Sequence, residues 1–215
     1  MTRFVQLVLV SLLLGVVGTA LGDDDLVHRL ETMGHDQRWN SFVDQIYALH
    51  KKLIAGRDVR TSDRIGGYYR EPKFYREVTY TDLKTGQVIS RISWERAHPD
   101  RIHVIQVYLY DKQGRVIRDY TGAYRTTDHD SPQATEINLH AYHGKLHAFR
   151  QFNASNEIYY EKCTGTWNGK PVDIRLDDED LANFEGESDT PMTTPEYARC
   201  FAGLPESAGK YLIPQ

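Results

Sequence analysis

Two periods of hydrophobicity run along the chain, and the change between them falls near residue 74. Before it, apolar residues recur at three- and four-residue intervals: Leu26, Val27, Leu30 and Met33, then, beyond Gly34, Trp39, Phe42, Val43, Ile46, Leu49 and Leu53. That spacing predicts two amino-terminal helices, each with one apolar stripe. Asp36 stands where it would cap the second, Lys51 and Lys52 fall in its last turn, where they complement the helix dipole, and Gly56 follows as a stop. From residue 74 the period is two, and strands are expected at 74–81, 87–96, 102–110, 115–124, 135–142, 145–152, 157–164 and 171–176. The segments between them are of hairpin length, too short for parallel crossovers. The expected fold class is α+β: two amino-terminal helices packed on a curved antiparallel meander of about eight strands, followed by a tail.

Four of the hairpins carry a glycine just before a basic or amide residue and an apolar one: Gly86-Gln-Val, Gly114-Arg-Val, Gly144-Lys-Leu and Gly169-Lys-Pro-Val. The glycines are 28, 30 and 25 residues apart, a loose internal repeat. Tyr142-His-Gly-Lys-Leu-His-Ala and Trp167-Asn-Gly-Lys-Pro resemble the aromatic-x-Gly-Lys hairpins of degenerate MORN-variant repeats over about residues 80–176. The resemblance implies stacked hairpins in an elongated curved sheet and a scaffold or partner-binding role. The pattern departs where a second glycine is expected, at Ala148 and Asp173.

The first 22 residues differ from the rest. Arg3 is their one charge, an apolar run follows from Phe4 to Val17, and the small residues Ala20 and Gly22 precede Asp23-Asp24-Asp25. This is the pattern of a signal peptide, cleaved after Gly22, and too short and glycine-diluted for a spanning helix. Residues 23–215 then form a single exported domain: 23–56 helical, 74–176 the sheet, and 177–215 an acidic loop and a short helix begun by Thr194 and Pro195. The protein is expected to be periplasmic or secreted, without stable membrane insertion after cleavage. In that oxidising setting the only two cysteines, Cys163 and Cys200, read as a disulfide pinning the tail, worth roughly 4 kcal/mol as an upper guide. A net charge of −4 and a pI near 6.1 speak against a nucleic-acid partner.

The richest constellation is histidine. With His143-Gly144 as a two-residue turn, Tyr142 pairs with Lys145 and His140 faces His147, so two imidazoles share a polar face with Glu136 and Asn138 and are in reach of one Zn²⁺ or Cu²⁺. The same register sends Ile137, Leu139, Ala141, Leu146, Ala148 and Phe152 to the core. A third ligand, Glu136 or His143, is not fixed by spacing, and two ligands alone seldom make a site. Asp128-His129-Asp130-Ser131 holds the residue types of a hydrolase triad, but contiguous residues do not form that geometry and no Gly-x-Ser-x-Gly is present. Asp177-Asp-Glu-Asp180 lacks the spacing of a calcium loop and reads as a helix start or a solvated run. Asn153-Ala-Ser155 is a glycosylation sequon.

Fourteen tyrosines, most within the sheet region, suit cross-strand packing and ligand contact alike. Trp94, Tyr108, Tyr110 and Tyr142 are the candidate binding residues on an uncovered sheet face. No catalytic set is complete and no cofactor is required. The function expected is that of a non-catalytic exported binding or scaffold protein, its partner another protein, a small molecule or a glycan. The alternatives are a metal-assisted hydrolase built on His140 and His147, or a small-ligand carrier.

Overall fold

The computed structural model describes residues 33–127, 129–182 and 190–215. A helix, α1 (His35–Ile54), precedes nine strands: β1 (Val59–Tyr68), β2 (Glu71–Asp82), β3 (Val88–Glu95), β4 (Ile102–Tyr110), β5 (Val116–Tyr124), β6 (Pro132–His143), β7 (Leu146–Phe152), β8 (Ile158–Trp167) and β9 (Lys170–Asp177). Two short helices follow, α2 (Asp178–Ala182) and α3 (Pro195–Cys200). The strands pair in chain order from β1 to β9, each antiparallel to the next, in one open sheet. Register shifts interrupt most of the pairs, and such bulges bend strands and increase their twist.

This corrects the expected fold class. Among the described residues there is one amino-terminal helix rather than two, and the sheet has nine strands rather than eight. Of the first expected helix only Met33 is described, at a bend; Leu26, Val27 and Leu30 lie outside the described residues, as do 1–22 and the acidic segment 183–189. The strand without an expectation is β1. Its sequence VRTSDRIGGY shows no alternation because nearly all of it is exposed at the sheet edge. Charge is what an edge strand uses against unwanted pairing, and the cross-strand bonds Arg64–Glu77 (2.8 Å) and Arg76–Asp63 (2.9 Å) occupy it here. A smaller correction concerns the cap: α1 begins at His35 behind Gly34 with no side-chain cap, and Asp36 lies within the first turn, where its charge still suits the dipole.

The stripe of α1 packs on one face of β3–β6. Phe42, Val43, Ile46 and Leu49 meet Ile92, Ile105, Val107, Tyr120, Ile137 and Leu139, all in one buried cluster. Gly122 is required by this approach: a Cβ there would come within 2.5 Å of Val43. Farther along the same face the tail takes over from the helix. Cys200 and Phe201 join Leu146, Ala148, Cys163 and Val172 in a smaller cluster. The Cys163–Cys200 disulfide is present and buried, and no cysteine is free. Both clusters lie on this first face, together with the buried Arg150–Glu161 pair; the second face carries Asp119, Asn138, His140 and His147.

Candidate functional site

The β6–β7 turn sets the geometry of the second face. Its loop residues are Gly144 and Lys145, not His143 and Gly144, so His143 pairs with Leu146, Tyr142 with His147, and His140 with Phe149. Gly144 has φ +65°, and a two-residue hairpin loop takes glycine readily at its first position, which fixes this register. The register differs from the expected one by two residues. An even slip preserves which face each side chain occupies, whereas a slip of one would have reversed them. The core side is therefore as expected, and the two histidines are diagonal neighbours instead of direct opposites.

They still touch. His140 Nδ1 lies 2.9 Å from His147 Nε2, and the rings stack at 5.2 Å with 13° between planes. Tyr142 stacks on the other side of His147 at 4.7 Å, and the Arg115 guanidinium sits 4.5 Å over Tyr142. The third member beside the two histidines is neither Glu136 nor His143 but Asp119 on β5, whose Oδ2 is 2.7 Å from His140 Nε2. Asn138 Nδ2 donates to Asp119 Oδ1 at 2.8 Å, and His143 is turned away to the carbonyl of Ala202 at 2.9 Å.

This chain orders the protons. A carboxylate only accepts, so His140 donates from Nε2 to Asp119; in a neutral ring that leaves Nδ1 as an acceptor. His147 then donates from Nε2, and its own lone pair is left on Nδ1. His147 is held neutral: burial lowers its pKa, with the charges of His140 and Lys162 acting in the same direction. Burial, reinforced by the Asp119 charge, raises the pKa of Glu136 two strand positions from Asn138. The Oδ1 of Asn138 is buried and has no hydrogen-bond partner. The face thus presents one half-buried acceptor, His147 Nδ1, within a stacked aromatic column.

The four candidate binding aromatics do not share this surface. Tyr108, Tyr110 and Tyr142 lie on it, but their hydroxyls are spent inside the protein. Tyr108 donates to Gln106, Tyr110 to the carbonyl of Val88 at 2.8 Å, and Tyr142 to that of Val116 at 2.9 Å. Burial lifts the Tyr108 hydroxyl to about 12. Trp94 is on the opposite, helix-covered face, packed edge-on to Tyr47 at 5.9 Å. Its phase is that of Ile92, a buried core residue, and this alternation was visible in the chain. Asp119 carried a signal as well, since with Arg118 it puts two adjacent charges into the middle of a strand, one on each face. Its partner could not be read, because pairing of β5 with β6 brings them together from 21 residues apart.

Among the described residues, no group of three or more His, Cys, Asp or Glu side chains converges as a metal site would require. Asp119 reaches the pair from behind His140. No described helix is long and apolar enough to cross a membrane. Asp177 Oδ1 accepts from the amides of Glu179 and Asp180, both at 3.1 Å, and so caps α2. Asp128 lies outside the described residues, and His129 beside it turns to Glu95 at 2.9 Å. Comparison with known protein families, curated proteins and solved structures found no match.

Proposed function

We propose that this is an exported, non-catalytic binding protein whose ligand lies on the second sheet face, against the Asp119–His140–His147 chain. One observation carries the reading: with His140 Nε2 turned to Asp119 and His147 Nε2 to His140, His147 Nδ1 is left as an unused acceptor on a face that is already ordered by stacking. Groups fixed in place lose little entropy on binding, and acceptors select a ligand rich in donors. A hydroxyl-rich small molecule or glycan meets that requirement. Export is part of the same proposal; the charge, apolar run and small residues of 1–22 support it, and so does the disulfide.

Soluble oligosaccharides titrated into the protein, followed through the imidazole signals of His140 and His147, test this. A binder is expected to shift both together, and Asp119→Asn is expected to uncouple them and weaken binding by roughly tenfold, as removal of a charged hydrogen-bond partner does. Binders that move neither ring, or an Asp119→Asn variant that binds as well as wild type, would overturn it. The carboxylate behind His140 favours a second reading, a metal-assisted hydrolase, since metal-bound imidazoles are oriented in that way. Zn²⁺ added to the same sample separates the two: a rise in melting temperature at pH 7.5 that His147→Ala abolishes belongs to the metal reading alone.

A further inference from the structure

Trp94, placed on the helix side, borders a cleft of about 800 Å³ between α1 and the β3–β4 and β5–β6 loops. Tyr47 and Tyr124 form the rest of its aromatic wall, and Asp44, Asp100 and Arg101 stand around it. The volume suits a small molecule. Three carboxylates line the cleft, Asp44, Asp100 and Asp130, against one guanidinium, Arg101. Asp44 and Asp100 are exposed and make no ion pair with any described cation, whereas His129 at the rim is turned to Glu95. The Asp44 charge is felt by the wall: together with burial, which is the larger cause, it lifts the Tyr124 hydroxyl to about 12. The aromatic patch already carries one cation of the protein's own, since Lys51 Nζ lies 4.8 Å from the Tyr47 ring.

We propose that this cleft binds a small organic cation of the alkylammonium type, with the Trp94 and Tyr47 rings as its aromatic wall and Asp44 and Asp100 as its counter-charges. Rings attract a cation through their quadrupole, and a quaternary ammonium, being weakly hydrated and apolar at its surface, gains from the rings and the carboxylates together. A sugar would use the rings but leave the charge surplus without purpose. This site is on the opposite face from the histidine chain, and neither proposal depends on the other.

Choline and its uncharged isostere 3,3-dimethylbutan-1-ol are the probes, with binding heat and the Trp94 indole N–H resonance as readouts. Choline is expected to give a saturable shift and to bind at least about threefold more tightly than the isostere, within the ordinary range of cation–π attraction. Asp44→Asn combined with Asp100→Asn is expected to weaken choline by about threefold or more. Both residues are exposed and unpaired, so the double variant is expected to fold even where Trp94→Ala does not. His147→Ala is expected to leave choline binding unchanged. Absence of a saturable shift, equal affinity for the isostere, or wild-type choline binding by the double variant would overturn the proposal.

Discussion

The two ends of the covered sheet face are held by different forces. Over β3–β6 the work is done by apolar area: α1 lays Phe42, Val43, Ile46 and Leu49 on the buried side chains of four strands, and Phe42 and Ile46 are sealed from solvent. Over β7–β9 the covering element is too short to do the same, since α3 has six residues and buries only Cys200 within the helix itself. What replaces area there is a covalent bond and a buried ionic cluster. Glu161, 1% exposed, takes the Arg150 guanidinium and, at 2.7 Å, the Tyr197 hydroxyl. Arg150 also donates to the carbonyl of Pro205 at 2.7 Å and lies over Phe201, so one guanidinium gathers strand, helix and tail. A buried charge network of this kind adds little to stability over an apolar equivalent, but removal of one member is costly. The lesson is that a short amphipathic segment is positioned by directed bonds where burial alone is insufficient.

The largest expected effect tests the helix-covered end. Phe42→Ala removes a fully buried ring that meets Tyr120 edge-on at 6.1 Å, and is expected to cost about 3–5 kcal/mol of global stability. Equilibrium urea denaturation measures it, and a loss under 1 kcal/mol would show that α1 is not the principal cover of the sheet. A smaller effect is expected at the other end. Cys163→Ser with Cys200→Ser is expected to cost about 2–4 kcal/mol, and hydrogen exchange is expected to quicken in α3 and β8–β9 before β3–β6. Uniform quickening over the whole sheet would erase the distinction between the two ends.

The same contrast explains what the chain disclosed beforehand. Where apolar burial is the organising force, period is its signature, so α1 and the strands from β2 onward were legible to within a few residues. Cys163 and Cys200 were legible by count. The polar edge strand β1 was silent, because exposure on nearly every position removes the alternation. At the candidate site, face was legible and partnership was not. His140 and His147 share a face under any even slip of register, but Asp119 enters only through the pairing of β5 with β6. Arg150 and Glu161 escaped for a related reason: as inward charges on strands they break the alternation that identifies a core, and only their mutual approach across β7–β8 accounts for them.

The smallest effect sets the second face against the covered one. His147 there and His50 under α1 both have pKa values lowered, burial being the first cause in each. A lowered imidazole pKa means that the unfolded chain binds protons more readily than the folded one. The associated stability is fully present above the ordinary value of 6.5, and it is lost as pH falls from there through the folded pKa. Wild type is therefore expected to unfold more easily at pH 5.5 than at pH 7.5, and His147→Ala to lose less over the same interval. Glu136 acts in the opposite sense: its raised pKa lets the folded state take up a proton above the ordinary 4.5, so its contribution grows as pH falls. Taking the difference between wild type and His147→Ala at each pH cancels Glu136 and His50 together, and leaves the part due to the histidine chain. Urea midpoints for the two proteins that run parallel from pH 7.5 to 5.5 would show that His147 takes up its proton without cost, and that its burial beside His140 and Lys162 does not hold it neutral.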